Sequence, residues 1–217
     1  MQRPYDIHIA PDRALQLLKE GNFRFVNRLN SERDLLYHVA ETKDGQKPFA
    51  VILGCMDSRV SSELIFDQGL GDIFSIRIAG NIVSEGILGS IEYATAVAGA
   101  SLVLVLGHTN CGAIKGACDH VEMGHLTGLL QKIQPALDSE RTFLHERNSN
   151  NTAFVNAVTD LNIQHSARQI LQQSQIIRDL VVQGKVQIAS AMYNVATGMV
   201  TFNDDQITSD TILPMAS

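Results

Sequence analysis

Several shortages in the sequence narrow what it can be. Cysteine occurs three times in 217 residues, too few and too odd a number for the disulfide framework of a small secreted scaffold. No apolar run approaches the roughly 18 to 20 residues that a membrane-spanning helix needs. The opening MQRPYDIHIAPD lacks the basic-then-apolar pattern of a signal peptide. A cytoplasmic protein with no membrane partner is therefore expected. Basic residues number 17 against 23 acidic ones, for a net charge of −6, and no basic stripe interrupts that balance, which argues against nucleic acid or an anionic membrane surface as a ligand. Internal repeats, low-complexity segments and linkers are missing too. What remains is 45% hydrophobic, enough for one domain to bury a single core.

Read along the chain, apolar stretches alternate with helical patterns. Residues 11–30 start with Pro and Asp and place Ala14, Leu15, Leu17, Leu18, Phe25 and Val26 mostly on one side. This is an amphipathic helix, expected to bend or break near Gly21. Residues 31–47 read as a polar connection. Strands are expected at Phe49–Leu53, Ile73–Ile78, Ser101–Leu106 and Val186–Tyr193, with a short fifth at Met199–Phe202. Between them, SSELIFDQGLGD is a short helical stretch stopped by Gly69 and Gly71. The small and apolar segment from Gly86 is a buried crossover helix, and Gly112–Cys118 is a short helix. Apolar residues recur at helical spacing from Thr152 to Val182, with Gly184 as the stop. Such alternation gives an α/β domain. Its expected core, 46–217, is a mainly parallel sheet of four strands plus a short fifth edge strand, flanked by helices; residues 1–45 form an N-terminal helical arm.

Two strands deliver chemistry at their ends. VILGCMDSR runs into Gly54 and then presents Cys55, Asp57 and Arg59 at alternate positions; LVLVLGHTNC runs into Gly107 and presents His108 and Cys111. Singly, each has a plain structural reading: a reduced core cysteine beside a surface acid, a hydrogen-bonded histidine at a strand end, an Asp57–Arg59 surface ion pair worth little. Together, two thiols, an imidazole and a carboxylate at equivalent exits of two buried strands suit zinc. In open parallel sheets, ligands gather beyond the carboxyl ends of strands, near a switch in strand order. A zinc held by Cys55, His108 and Cys111 has one position left. Filled by Asp57, it is a closed site; if Arg59 holds that carboxylate off as a bidentate partner, water binds there and its pKa falls toward neutrality. Cys118 has no such neighbours and reads as a small buried hydrophobe. CxD and HxxC offer no vicinal dithiol, so redox chemistry is disfavoured.

These residues lie in longer matching segments. GCMDSRV, FDQGLGDIFSIRIAGN, SIEYA and GHTNCGAIKGA closely resemble the β-class carbonic anhydrases, densely from Gln46 to Ala117; VQIASAMYNVATGMV is similar to that family's final strands. The resemblance implies a zinc enzyme that hydrates carbon dioxide to bicarbonate and a proton, reversibly, by zinc-bound hydroxide. It implies Cys55, His108 and Cys111 as zinc ligands, Asp57 as fourth ligand in the closed form only, and Asp57 with Arg59 as a gating and orienting dyad. Plant-type members line the substrate pocket with Gln, Phe and Tyr; the matching positions are Gln46, Phe74 and Tyr93, of which the two aromatics also have a plain reading as core residues. The Gly112 backbone N–H, at a helix start, suits a developing bicarbonate oxygen. Family members are built on dimers, so a homodimer or a dimer-based homo-oligomer, such as a tetramer, is expected.

One departure concerns another absence. Bicarbonate-inhibited members carry a tryptophan three residues before the first cysteine ligand; this chain has Ile52 there and no Trp anywhere. Arg77 and Tyr193 stand at the other two positions of that inhibitory pocket, which is thus incomplete, and the open arrangement is expected. Two rivals share the zinc: a carbon disulfide or carbonyl sulfide hydrolase on the same fold, and a non-catalytic zinc-stabilised bicarbonate-binding module. Asp57 and Arg59 argue against the second, because a purely structural site is closed by four firm ligands.

Overall fold

The computed structural model describes residues 9–203; the outer ends of the expected single domain 1–217 lie outside the described residues. Five strands, β1 (Ala50–Gly54), β2 (Ile73–Arg77), β3 (Leu102–His108), β4 (Gln187–Tyr193) and β5 (Val200–Phe202), form one sheet in the order β2-β1-β3-β4-β5. All pairings are parallel except β4 with β5. The chain thus leaves β1 to one side for β2 and returns to its other side for β3, which makes the boundary between β1 and β3 the switch in strand order.

Alternate strand residues face two covered layers, which is why these strands read as unbroken apolar runs. Ala50, Ile52, Leu102, Leu104, Ala189 and Ala191 pack on one side with Ala14 and Leu18 of helix α1 (Pro11–Val26) and with Ile65 and Phe66 at the end of α3 (Ser62–Ile65). Val51, Leu53, Val103, Val105 and Ile188 pack on the other with α4 (Glu85–Glu92), α8 (Thr152–Gln173) and α9 (Gln175–Val182). Helices α5 (Gly112–Cys118), α6 (Gly124–Leu130) and α7 (Gln134–Ser139) close the carboxyl end.

Four expectations need correcting: the crossover helix expected to be buried is α4, of which only Ile91 is buried. Helix α1 neither bends nor breaks at Gly21. The buried stripe Ala14, Leu18, Gly21, Asn22 runs straight through it, and a Cβ on Gly21 would lie 1.8 Å from the Phe66 carbonyl oxygen; the glycine permits a close approach of two backbones. Residues 31–47 are not only a connection, since Leu35–Thr42 forms α2, its N-cap Asp34 accepting from the Tyr37 N–H. The helical run after Thr152 is broken at Ser174, whose extended backbone (φ −110°, ψ 110°) ends α8 and whose hydroxyl caps α9 by accepting from the Ile177 N–H. Strand limits differ by a residue or two; β3 runs on to His108. α4 continues into a π turn at Tyr93–Val97. Among the described residues, no helix is long and apolar enough to cross a membrane.

Candidate metal centre

Cys55 and His108 come together because β1 and β3 are neighbours in register. Gly54 pairs with Leu106, so Cys55 leaves β1 level with Gly107, one residue before His108. Gly107 lets α8 pack closely there: a Cβ would stand 2.5 Å from Ile163 Cδ1 and 3.2 Å from Thr159 Cγ2, so those side chains would have to shift. Gly54 meets nothing closer than 4.0 Å. Thr109 and Asn110 then turn the chain, Asn110 at φ 57°, and Cys111 begins α5 as its N-cap.

The donor atoms of Cys55, His108 and Cys111, all three side chains buried, lie within 4.8 Å of one another. The sulfurs are 3.9 Å apart. Two sulfurs on a tetrahedral zinc, each at about 2.3 Å, stand roughly 3.8 Å apart. His108 Nδ1 is hydrogen-bonded to its neighbour's carbonyl, Thr109 O, at 2.9 Å, which fixes the ring and makes Nε2 the free lone pair. Nε2 is buried with no hydrogen-bond partner. The two thiols also respond to one another. Contact with Cys111 first, then with His108 and the Gly80 and Asp57 backbone, brings Cys55 down to about 4 against the opposing effect of burial. The same sulfur contact, with burial and the repulsion of a thiolate neighbour, pushes Cys111 up. Both can ionise only if a positive charge sits between them. The donor set, the spacing and the orphaned nitrogen fit a zinc ion.

Asp57 stands beside this group and outside it, since its carboxylate is not among the mutually close donors. Arg59 occupies both of its oxygens: Nε donates to Oδ1 at 2.9 Å and Nη2 to Oδ2 at 2.7 Å, with the Arg59 backbone N–H to Oδ1 at 3.0 Å. These bonds, led by those from the guanidinium, hold the Asp57 carboxyl far below the usual range although burial opposes them. The Asp57 side chain is 18% exposed and that of Arg59 52%, so the pair sits at the protein surface with its acid partly withdrawn.

The pocket residues lie elsewhere. Gln46 is exposed, ahead of β1 at the amino end of the sheet. Phe74 pairs with Val51, four residues before Cys55, or roughly 13 Å along the strand. Tyr93, 55% exposed and hence no core aromatic, meets Phe74 edge-on at 6.3 Å between centroids. They line a cleft of about 380 Å³ between β2 and α4. Gly112 is the exposed first residue of α5. Ile52 is fully buried and Tyr193 nearly so, both in the core on the α1 side of the sheet. Arg77 donates to the carbonyls of Cys55 (3.2 Å) and Asp57 (2.5 Å) and so ties down the loop that carries both.

Sequence reasoning missed that clamp, and it missed Gly80. Read only as part of a turn, Gly80 directs its N–H at Cys55 Sγ at 3.4 Å. The signal was Ala-Gly-Asn itself: Gly80 has φ 69° and Asn81 φ 43°, the left-handed region that Gly and Asn tolerate.

Fold and donor set define an α/β protein with a buried sulfur–imidazole cradle at a strand-order switch. A family model described as carbonic anhydrase matches residues 50–200. Carbonic anhydrase 2 of Mycobacterium tuberculosis is 35% identical over 200 residues, covering 89% of this chain and 93% of that one. The solved Coccomyxa beta-carbonic anhydrase, in complex with acetazolamide, superposes with a TM-score of 0.71 at 24% identity, over 89% of this chain and 88% of that one. One of two beta-carbonic anhydrases of Sordaria macrospora, described as tetrameric, superposes at 0.66 and 23% identity, over 79% and 92%. The chain belongs to the β-class carbonic anhydrases, enzymes whose general activity is the hydration of carbon dioxide.

Proposed function

We propose that this chain interconverts carbon dioxide and bicarbonate with a zinc ion held by Cys55, His108 and Cys111. When bound, the ion supplies the Lewis acidity that makes water a nucleophile near neutral pH. The observation that carries the reading is the Asp57–Arg59 pair. Arg59 engages both carboxylate oxygens, which holds Asp57 off the donor set and would leave a bound ion accessible to water and substrate. Asp57, held ionised, accepts a hydrogen bond from the attacking water and aims its lone pair; it steers the proton without keeping it. The water oxygen bonds to the carbon, one C=O electron pair moves onto oxygen, and the proton leaves for solvent. The backbone N–H of Gly112 is assigned to a bicarbonate oxygen.

Gln46, Phe74 and Tyr93 are assigned to the wall of the substrate pocket, and their distance from the chain's own donors supports a homodimer in which the partner's cleft meets this chain's metal end. The inhibitory bicarbonate pocket has no place in this reading. Its Ile52 and Tyr193 positions are packed into the core, and Arg77 is engaged by two backbone carbonyls.

The test is metal analysis with stopped-flow carbon dioxide hydration on wild type and Asp57→Asn. About one zinc per chain is expected, with turnover falling on the order of 10²-fold or more in the variant while the metal is retained. Zinc without hydration in the wild type would replace the enzyme by a bicarbonate-binding module.

A further inference from the structure

Gly80 is held on both sides of its Cα. Its N–H points at Cys55 Sγ, and its carbonyl accepts from Asn162 Nδ2 at 2.8 Å. Asn162 is fully buried in α8, 82 residues further along the chain. Because the partner is a carbonyl, only the NH₂ end of the amide can face it, which settles the orientation of the side chain. An apolar residue would fill this core position without the cost of burying an amide, yet the structure places there an amide whose Oδ1 is buried without a partner and whose Nδ2 donates to the residue that touches a metal-binding sulfur. The turn is also closely walled: a Cβ on Gly80 would lie 2.9 Å from Ile133 Cδ1 and 3.4 Å from the Ala113 Cβ. With φ at 69° and ψ at 18°, glycine has other conformations available, and a rotation of the flanking peptides would turn the N–H away from the sulfur. The Asn162 bond removes that freedom.

We propose that Asn162 is a positioning residue for the metal centre: by fixing the Gly80 carbonyl it aims the Gly80 N–H at the Cys55 sulfur, and this hydrogen bond draws charge off the thiolate and tunes its donation to the ion. The inference rests on the zinc reading above. Outer-shell partners of this kind typically change metal affinity by about 10- to 100-fold when removed.

The experiment uses three metals. In wild type loaded with ¹¹³Cd, the Gly80 amide proton shows scalar coupling to the metal through the N–H···S bond. In Asn162→Leu, which keeps the shape and cannot donate, the coupling is lost, zinc dissociation measured by chelator competition rises about 10- to 100-fold, and the sulfur-to-metal charge-transfer band of the Co(II) form shifts. Ile170→Val, a cavity variant of the same helix, lowers stability and leaves coupling, affinity and band unchanged. Absence of coupling in wild type overturns the proposal even if Asn162→Leu does not fold, and so does an Asn162→Leu protein with wild-type affinity and spectrum. A wild type that binds none of the three metals would instead sink the zinc reading itself.

Discussion

Replacing Gly21 by alanine tests the packing of α1 against a contrary expectation. In an exposed helix the change stabilises by about 1 kcal/mol. Here the new Cβ would sit 1.8 Å from the Phe66 carbonyl oxygen, 2.7 Å from its carbon and 3.1 Å from Gln68 Nε2. Two of these are backbone atoms that no rotamer change can move, so the helix must lift by more than an ångström. Lifting strains the bonds of Asn22, which donates to Ile65 O (3.2 Å) and Gly198 O (2.9 Å) and accepts from Val200 N–H (2.9 Å), each worth about 1 kcal/mol. It also loosens Ala14 and Leu18, both fully buried. Against the helix-propensity gain, the net loss is roughly 3 kcal/mol. For a chain of this length that is about 6 to 12 °C in melting temperature. Urea unfolding and calorimetry at matched protein concentration measure it. A variant as stable as wild type, or more so, would refute the close-packing account of Gly21.

Two further predictions concern pH. Asp67 is 2% exposed; burial would raise its carboxyl, but bonds from Arg33, Arg24 and the Ser31 N–H outweigh it and hold the group at about 2 against an ordinary 3.8. A depressed folded pKa stabilises above the unfolded value and ceases to as pH falls through the folded one. Asp67 should therefore contribute roughly 2 kcal/mol above about pH 4, lost as pH falls toward 2; Asp67→Asn should flatten this part of the acid limb in pH-dependent unfolding, and an unchanged limb would refute it. Hydration activity should rise through the alkaline side of neutrality, because two sulfur donors leave the ion less electron-withdrawing than a three-histidine site whose water ionises near pH 7. Asp57, ionised throughout by Arg59, contributes no step of its own to that profile; a flat rate from mildly acidic to alkaline buffer would count against the mechanism.

The parts of this protein that were legible from sequence are those in which one residue type has one reason to be where it is. Val and Leu runs between helices announced a doubly covered parallel sheet, and Cys55, His108 and Cys111, which the structure brings together, stood out because each follows a strand that must stop at the same edge. Gly21 was misread because a helix interrupted by glycine and a helix pressed onto another backbone look alike along the chain. The Asp34 cap of α2 lay in a polar stretch with little periodicity, and the Ser174 cap lay inside an unbroken helical spacing. Arg77 was read only as one position of an inhibitory pocket, not for the carbonyls it clamps, and the Asn162–Gly80–Cys55 link joins three parts of the chain that nothing local connects.

The separation of the Phe74–Tyr93 cleft from the sulfur–imidazole end has a genetic consequence under the dimer reading. Each subunit takes part in two reaction centres, in different capacities, so damage to its donors and damage to its cleft silence different centres. If two dead mutants are co-assembled in equal amounts, one with Cys55 replaced and the other with Tyr93 replaced, half the dimers are mixed and each mixed dimer has one intact centre. The blend should recover roughly a quarter of full turnover, whereas two copies of either mutant alone recover none.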